Sequence, residues 1–206
     1  MAQIMIDAQI LPLQHKLLQP IARLFVHLDI RADQVTIAGF LIGLFAVPLI
    51  ATEHYLWALV FILGNRLLDG IDGQVARLTQ TTDRGAFLDI ALDFVFYAFI
   101  PLAFALANSA ENALAAVILL AAFIGTGSSF LAFSLMAEKR KLTSQSFSSK
   151  GIYYLGGLTE GAETIALFVA FCLWPHLFST LAYIFAFACV LTTLSRWLQG
   201  WHMLAD

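Results

Sequence analysis

From residue 34 to residue 199 the chain is a succession of six apolar stretches joined by short polar connections. A bilayer core of about 30 Å takes about 20 apolar residues of helix to cross, so stretches of this length read as spanning helices. They fall at about 34–52, 55–76, 85–107, 112–137, 152–174 and 177–199. Composition agrees: of 206 residues, 60% are hydrophobic and 12% charged, and the mean hydropathy is +0.83, which excludes an ordinary soluble domain. The fold class expected is all-α, one membrane-embedded domain over residues 1–206 with a six-helix bundle at 32–206.

Residues 1–31 differ from the rest. Leu13, Leu17, Leu18, Ile21, Leu24, Phe25 and Leu28 recur at helical spacing with Gln14, Lys16, Gln19 and Arg23 between them. That pattern predicts an amphipathic helix lying in the interface, bent or divided at Pro20. Pro12, Lys16, Pro20 and Arg23 interrupt the start too often for a cleavable signal.

The positions of Lys and Arg orient such a chain, and its net charge of −3 does not. The first, third and fifth connections hold no Lys or Arg, whereas the second and fourth hold Arg77, Arg84, Lys139, Arg140, Lys141 and Lys150. With Lys16, Arg23, Arg31 and Arg196, ten of the eleven basic residues lie on one side, which the positive-inside rule makes cytoplasmic, with both termini. The eleventh, Arg66, lies within the second span.

Four aspartates break the apolar pattern. In "DGIDGQVARLTQTTDRGAFLDIALD", Asp69 and Asp72 lie in the second span and Asp89 and Asp93 in the third. An Asp at mid-span costs about 2.5–3.5 kcal/mol, so four need roughly 10–14 kcal/mol of compensation. Asp69, Asp72, Gly73 and Ala76 share one helix face, and Gly85, Asp89 and Asp93 share another. The short connection "LTQTTDRG" makes the two helices antiparallel neighbours, so both carboxylate sets lie near the same cytoplasmic end. Two readings follow: a structural network with Arg66, Arg77 and Arg84, or a metal site. Small residues on the same faces admit a ligand closely, and short carboxylates suit hard divalent ions, two of which would match the four negative charges.

The pattern Asp69-x-x-Asp72-Gly73-x-x-Ala76-Arg77, seven residues, Gly85-x-x-x-Asp89-x-x-x-Asp93 resembles the full signature of the CDP-alcohol phosphotransferase family. The runs "FIGTGSSFLAF" and "YYLGGLTEGAET" are similar to a bacterial inner-membrane branch of it. The resemblance implies six membrane helices after an interfacial one, a homodimer, and a cytoplasm-facing enzyme of phospholipid biosynthesis. It would move a phosphatidyl group from CDP-diacylglycerol to an alcohol and release CMP, with Mg²⁺ or Mn²⁺, two ions, as cofactor and no nucleic-acid partner. Asp69, Asp72 and Asp89 would hold metal; Asp93 would share in this and act as general base. Gly73, Ala76 and Gly85 would leave room for the nucleotide, with Arg77 at its entrance and Thr36 bordering it. The family's Pro-Asn before that Thr is here Ala32-Asp33, so Asp33 would accept but not donate.

Other polar residues carry weaker signals. Glu160 and Glu163, read as lying in the fifth span, are candidates for an acceptor pocket or for pairing with Arg66 or Arg196. Lys139, Arg140 and Lys150 in the fourth connection are expected either to meet anionic headgroups or to rim an anionic acceptor. "GTGSS" at 125–129 reads as close helix packing, Cys172 and Cys189 as buried structural thiols, and most of the 18 Phe as lipid-facing. Rival functions are a small transporter or channel and an intramembrane prenyltransferase. The first would continue its charges beyond Asp93, and the second needs more spans than 206 residues allow.

Overall fold

The computed structural model describes residues 6–140 and 157–205, with side chains described from Leu17 onward. Every regular element in them is helical: α1 (Ile6–His27), α2 (Ala32–Leu44), α3 (Ala46–Ala51), α4 (Tyr55–Leu78), α5 (Asp83–Ala107), α6 (Ser109–Lys139), α7 (Gly161–Leu173) and α8 (Phe178–Met203), with a 3₁₀ turn before α8. The all-α expectation holds.

Four segments are long and apolar enough to cross a membrane: Ala32–Ala51, Asp83–Ala107, Ser109–Lys139 and Pro175–Met203. Two of the six expected spans do not join them. Helix α4 has 24 residues, about 36 Å at 1.5 Å per residue, but it carries Arg66, Asp69, Asp72 and Arg77. Helix α7, at 13 residues, is only about 20 Å long. The first part of the expected fifth span, residues 152–156, lies outside the described residues.

The first span is divided. Pro48 has no N–H for the Leu44 carbonyl one turn earlier, so the helix is interrupted at Phe45 and resumes as α3. Helix α1, by contrast, runs through Pro20 as one element. Its Leu18 and Ala22 are buried one turn apart against Ile71 and Val75 of α4 and Val35 of α2, while Leu17, Ile21, Leu24 and Leu28 remain exposed.

Aromatic packing forms the main core. Phe96, Phe104, Phe168, Phe171 and Phe178 are all fully buried, a correction to the lipid-facing expectation for these five. Phe104 stacks on Phe178 at 4.7 Å between centroids, and Phe171 lies 4.6 Å from Phe178, tying α5, α7 and α8 together. Cys172 and Cys189 are free and buried in this core. In α6, a Cβ at Gly127 would lie 2.8 Å from the Phe94 ring and one at Gly125 3.1 Å from Thr193, as the packing reading of "GTGSS" requires.

Close approach of α2 to α4 sets the site. A Cβ at Gly39 would lie 3.0 Å from Leu68, and one at Gly43 2.9 Å from Phe96 and 3.0 Å from Asn65. The contact is locked by Asn65, 4% exposed, whose Nδ2 donates to the Gly39 carbonyl at 3.0 Å.

Candidate active site

Helices α2, α4 and α5 meet around a cleft lined by Thr36 and Gly39 of α2, Arg66, Asp69 and Asp72 of α4, and Asp89 and Asp93 of α5. One carboxylate oxygen each from Asp69, Asp89 and Asp93 lies within 4.8 Å of the others, and all three residues are half-buried. Asp72 stands beside this trio. It is 6% exposed, and its Oδ2 is buried with no hydrogen-bond partner among the described residues.

An orphaned buried carboxylate oxygen is costly, and three converged carboxylates repel one another. A hard divalent cation answers both, because its preferred ligands are several close carboxylate oxygens. The residues present therefore fit a metal ion.

Arg66 is the element that sequence reasoning left without a settled partner. Its Nη2 donates to Asp93 Oδ1 at 2.6 Å and its Nη1 reaches Asp93 Oδ2 at 3.4 Å. Nη1 also lies 3.7 Å from Asp69 Oδ2, one turn away. Matching depths on the hairpin carried the signal: Arg66 lies 12 residues before the end of α4 (78 − 66) and Asp93 10 after the start of α5 (93 − 83). Asn65 and Tyr97, which hold Arg66, went unnoticed because each reads alone as an apolar-span residue. The ion pair belongs to the structural-network reading, and the converged carboxylates belong to the metal reading; the cleft holds both.

The remaining candidates lie around this centre. Thr36 borders the cleft and donates to the Ala32 carbonyl at 3.0 Å. At Gly73 a Cβ would meet the Arg77 guanidinium at 3.3 Å, so Arg77, otherwise exposed, folds along its own helix there. Ala76 is half-buried. At Gly85 a Cβ would lie 3.2 Å from Asp33 Oδ1, and Asp33 pairs through its other oxygen with Arg84.

Glu160 and Glu163 are not mid-helix residues. Glu160 is the N-cap of α7: its backbone N–H donates to Glu163 Oε2 at 3.0 Å, and its Oε1 accepts from the Gly157 N–H at 2.7 Å. The reason is local, since a Glu three residues after the cap reaches back to satisfy an orphan N–H. Neither lines the carboxylate cleft. Gly161 does approach it, its Cβ position lying 3.7 Å from the Tyr97 hydroxyl. Lys139 ends α6 exposed, Arg140 follows with Nη1 3.4 Å from the Ala205 carbonyl, and Lys150 lies outside the described residues.

With fold and cleft in view, comparison with known proteins places the chain. The sequence model of the CDP-alcohol phosphatidyltransferase family matches residues 30–198. The chain belongs to that family and is a transferase of its type. It is 50% identical over 197 residues, 96% of each chain, to inner membrane protein YnjF of Escherichia coli. The fold is similar to that of the Mycobacterium tuberculosis phosphatidylinositol phosphate synthase with CDP-DAG bound (TM-score 0.71, 22% identity, covering 90% of this chain and 94% of that one). The same enzyme in complex with manganese and citrate matches equally (TM-score 0.71, 22% identity, covering 89% and 88%). The transporter and prenyltransferase readings are left without support.

Proposed function

We propose that the chain, as one domain over residues 1–206, transfers a phosphatidyl group from CDP-diacylglycerol to an alcohol with release of CMP. The observation that carries this is the convergence of Asp69, Asp89 and Asp93 oxygens within 4.8 Å beside the orphaned Asp72 oxygen. Two Mg²⁺ or Mn²⁺ ions held by these four residues would neutralise the donor diphosphate and the charge developing on its bridging oxygen. The structural neighbour has been solved with CDP-DAG bound and in complex with manganese, which supports this donor and this cofactor.

Asp93 takes the proton from the acceptor hydroxyl. Its Oδ1 is held by Arg66 at 2.6 Å, so acceptance falls to Oδ2, where the guanidinium contact is longer at 3.4 Å. The acceptor oxygen then bonds to the phosphorus bearing the lipid, the bond from that phosphorus to the bridging oxygen breaks, and CMP leaves with that oxygen. Thr36 borders the nucleotide from the cleft wall, Gly73, Ala76 and Gly85 leave room for it with Arg77 at its entrance, and Asp33, paired with Arg84, remains a candidate nucleotide contact. Glu160, Glu163, Lys139, Arg140 and Lys150 remain candidates for the acceptor side.

The same reading gives α4 and α7 the two remaining crossings, for six in all, and lays α1 in the interface through its exposed Leu17, Ile21 and Leu24. It puts the protein in the bacterial inner membrane as a homodimer, with the site and both termini cytoplasmic, supported by the identity to an inner membrane protein and by the basic residues. The test is CMP release by purified protein given CDP-diacylglycerol, Mg²⁺ or Mn²⁺ and single alcohols. Chelation should stop release and added metal restore it; release that survives chelation would sink the metal-dependent reading.

A further inference from the structure

The carboxylate cleft contains a cation of its own, tied in place from several directions. Arg66 Nε donates to Asn65 Oδ1 at 2.8 Å, and Nη1 donates to the Tyr97 hydroxyl at 3.2 Å. The guanidinium lies 5.4 Å from the ring centroids of both Phe96 and Tyr97. Asn65 is itself fixed on the Gly39 carbonyl. The side chain is 15% exposed, and its planar fork is held by these partners as well as by Asp93.

Charge accounting gives this a consequence. With all four carboxylates counted as ionised, they and Arg66 sum to −3 (−4 + 1), so one divalent ion brings the site to −1 and a second would carry it to +1. Any ion held by the Asp69, Asp89 and Asp93 oxygens lies near Arg66, which contacts two of the three, and the first ion offsets most of the negative charge that draws a second one in. A donor diphosphate, bringing about two negative charges, removes that opposition.

We propose that Arg66 is a positioning residue that orders metal loading: the chain alone binds one divalent ion tightly, and the second enters only with the anionic donor. This rests on the metal-site reading above. Mn²⁺ titration of the detergent-purified full chain, followed by electron paramagnetic resonance of the free ion, tests it. Wild type is expected to bind one tight ion without donor and two with CDP-diacylglycerol. In Arg66→Gln the second ion is expected to bind without donor, at least tenfold more tightly than in wild type, whereas Arg66→Lys keeps the wild-type number.

Two ions of similar affinity in donor-free wild type would overturn the proposal, and that measurement stands even if Arg66→Gln does not fold. Superimposable wild-type and Arg66→Gln titrations would overturn it too. In both cases CMP release that still needs metal leaves the metal-site reading intact. If wild type binds no Mn²⁺ with or without donor, both fail.

Discussion

Arg66 and Asp93, 27 positions apart on two antiparallel helices, meet at 2.6 Å inside the carboxylate cleft. The pair holds Asp93 Oδ1 closely, and the contact to Oδ2 is longer, at 3.4 Å. If Asp93 is the proposed base, Asp93→Asn keeps the shape and removes it, so CMP release should fall by about 10²–10⁴. Unchanged helical content by circular dichroism would assign the loss to chemistry; release within threefold of wild type would rule Asp93 out as base.

Asn65 joins two helices and a guanidinium through one buried amide. Asn65→Ala would leave the Gly39 carbonyl and Arg66 Nε without their partner, at a cost of about 1–3 kcal/mol. Thermal unfolding in detergent should show the drop, and activity should fall with it because Arg66 loses the partner of its Nε.

Gly43 tests the approach of α2 to α4. A methyl group there would lie 2.9 Å from the Phe96 ring and 3.0 Å from Asn65, so Gly43→Ala should destabilise by about 1–3 kcal/mol. Gly64→Ala is the control, with its nearest neighbour at 3.6 Å, and should unfold within a few degrees of wild type.

The Asp33 and Arg84 pair is at the surface, with the Arg84 side chain 76% exposed. Such pairs contribute on the order of 0–1 kcal/mol and are screened by salt. Asp33→Asn, which restores the residue of the common family pattern, should keep both stability and CMP release within about twofold in 0.15 M salt. A tenfold rise in KM for the donor would show instead that the nucleotide contact needs the Asp33 carboxylate itself.

Much of the site was legible because its information is local. The spacing from Asp69 to Asp93 places each carboxylate pair on one helix face, and a four-residue link forces the faces together at one end. Glu160 and Glu163 show the limit of the same reasoning: their spacing fits both a helix interior and a capping box, and Glu160 turned out to be the cap. Phe104 and Phe178 show it again, since an apolar residue in a membrane helix reads the same whether it faces lipid or protein.

Helical periodicity and hydropathy by themselves determined the all-helical class and the carboxylate faces, since each depends on residues within a turn or two of one another, and the run of motif residues from Asp69 to Asp93 carried the family resemblance. Tertiary structure alone decided that three aspartates cluster while Asp72 stands beside them with a free oxygen, and that Arg66 belongs to Asp93. The reason is docking: Gly39 and Gly43 let α2 press onto α4, Asn65 locks the contact, and only that placement turns Arg66 into the cleft.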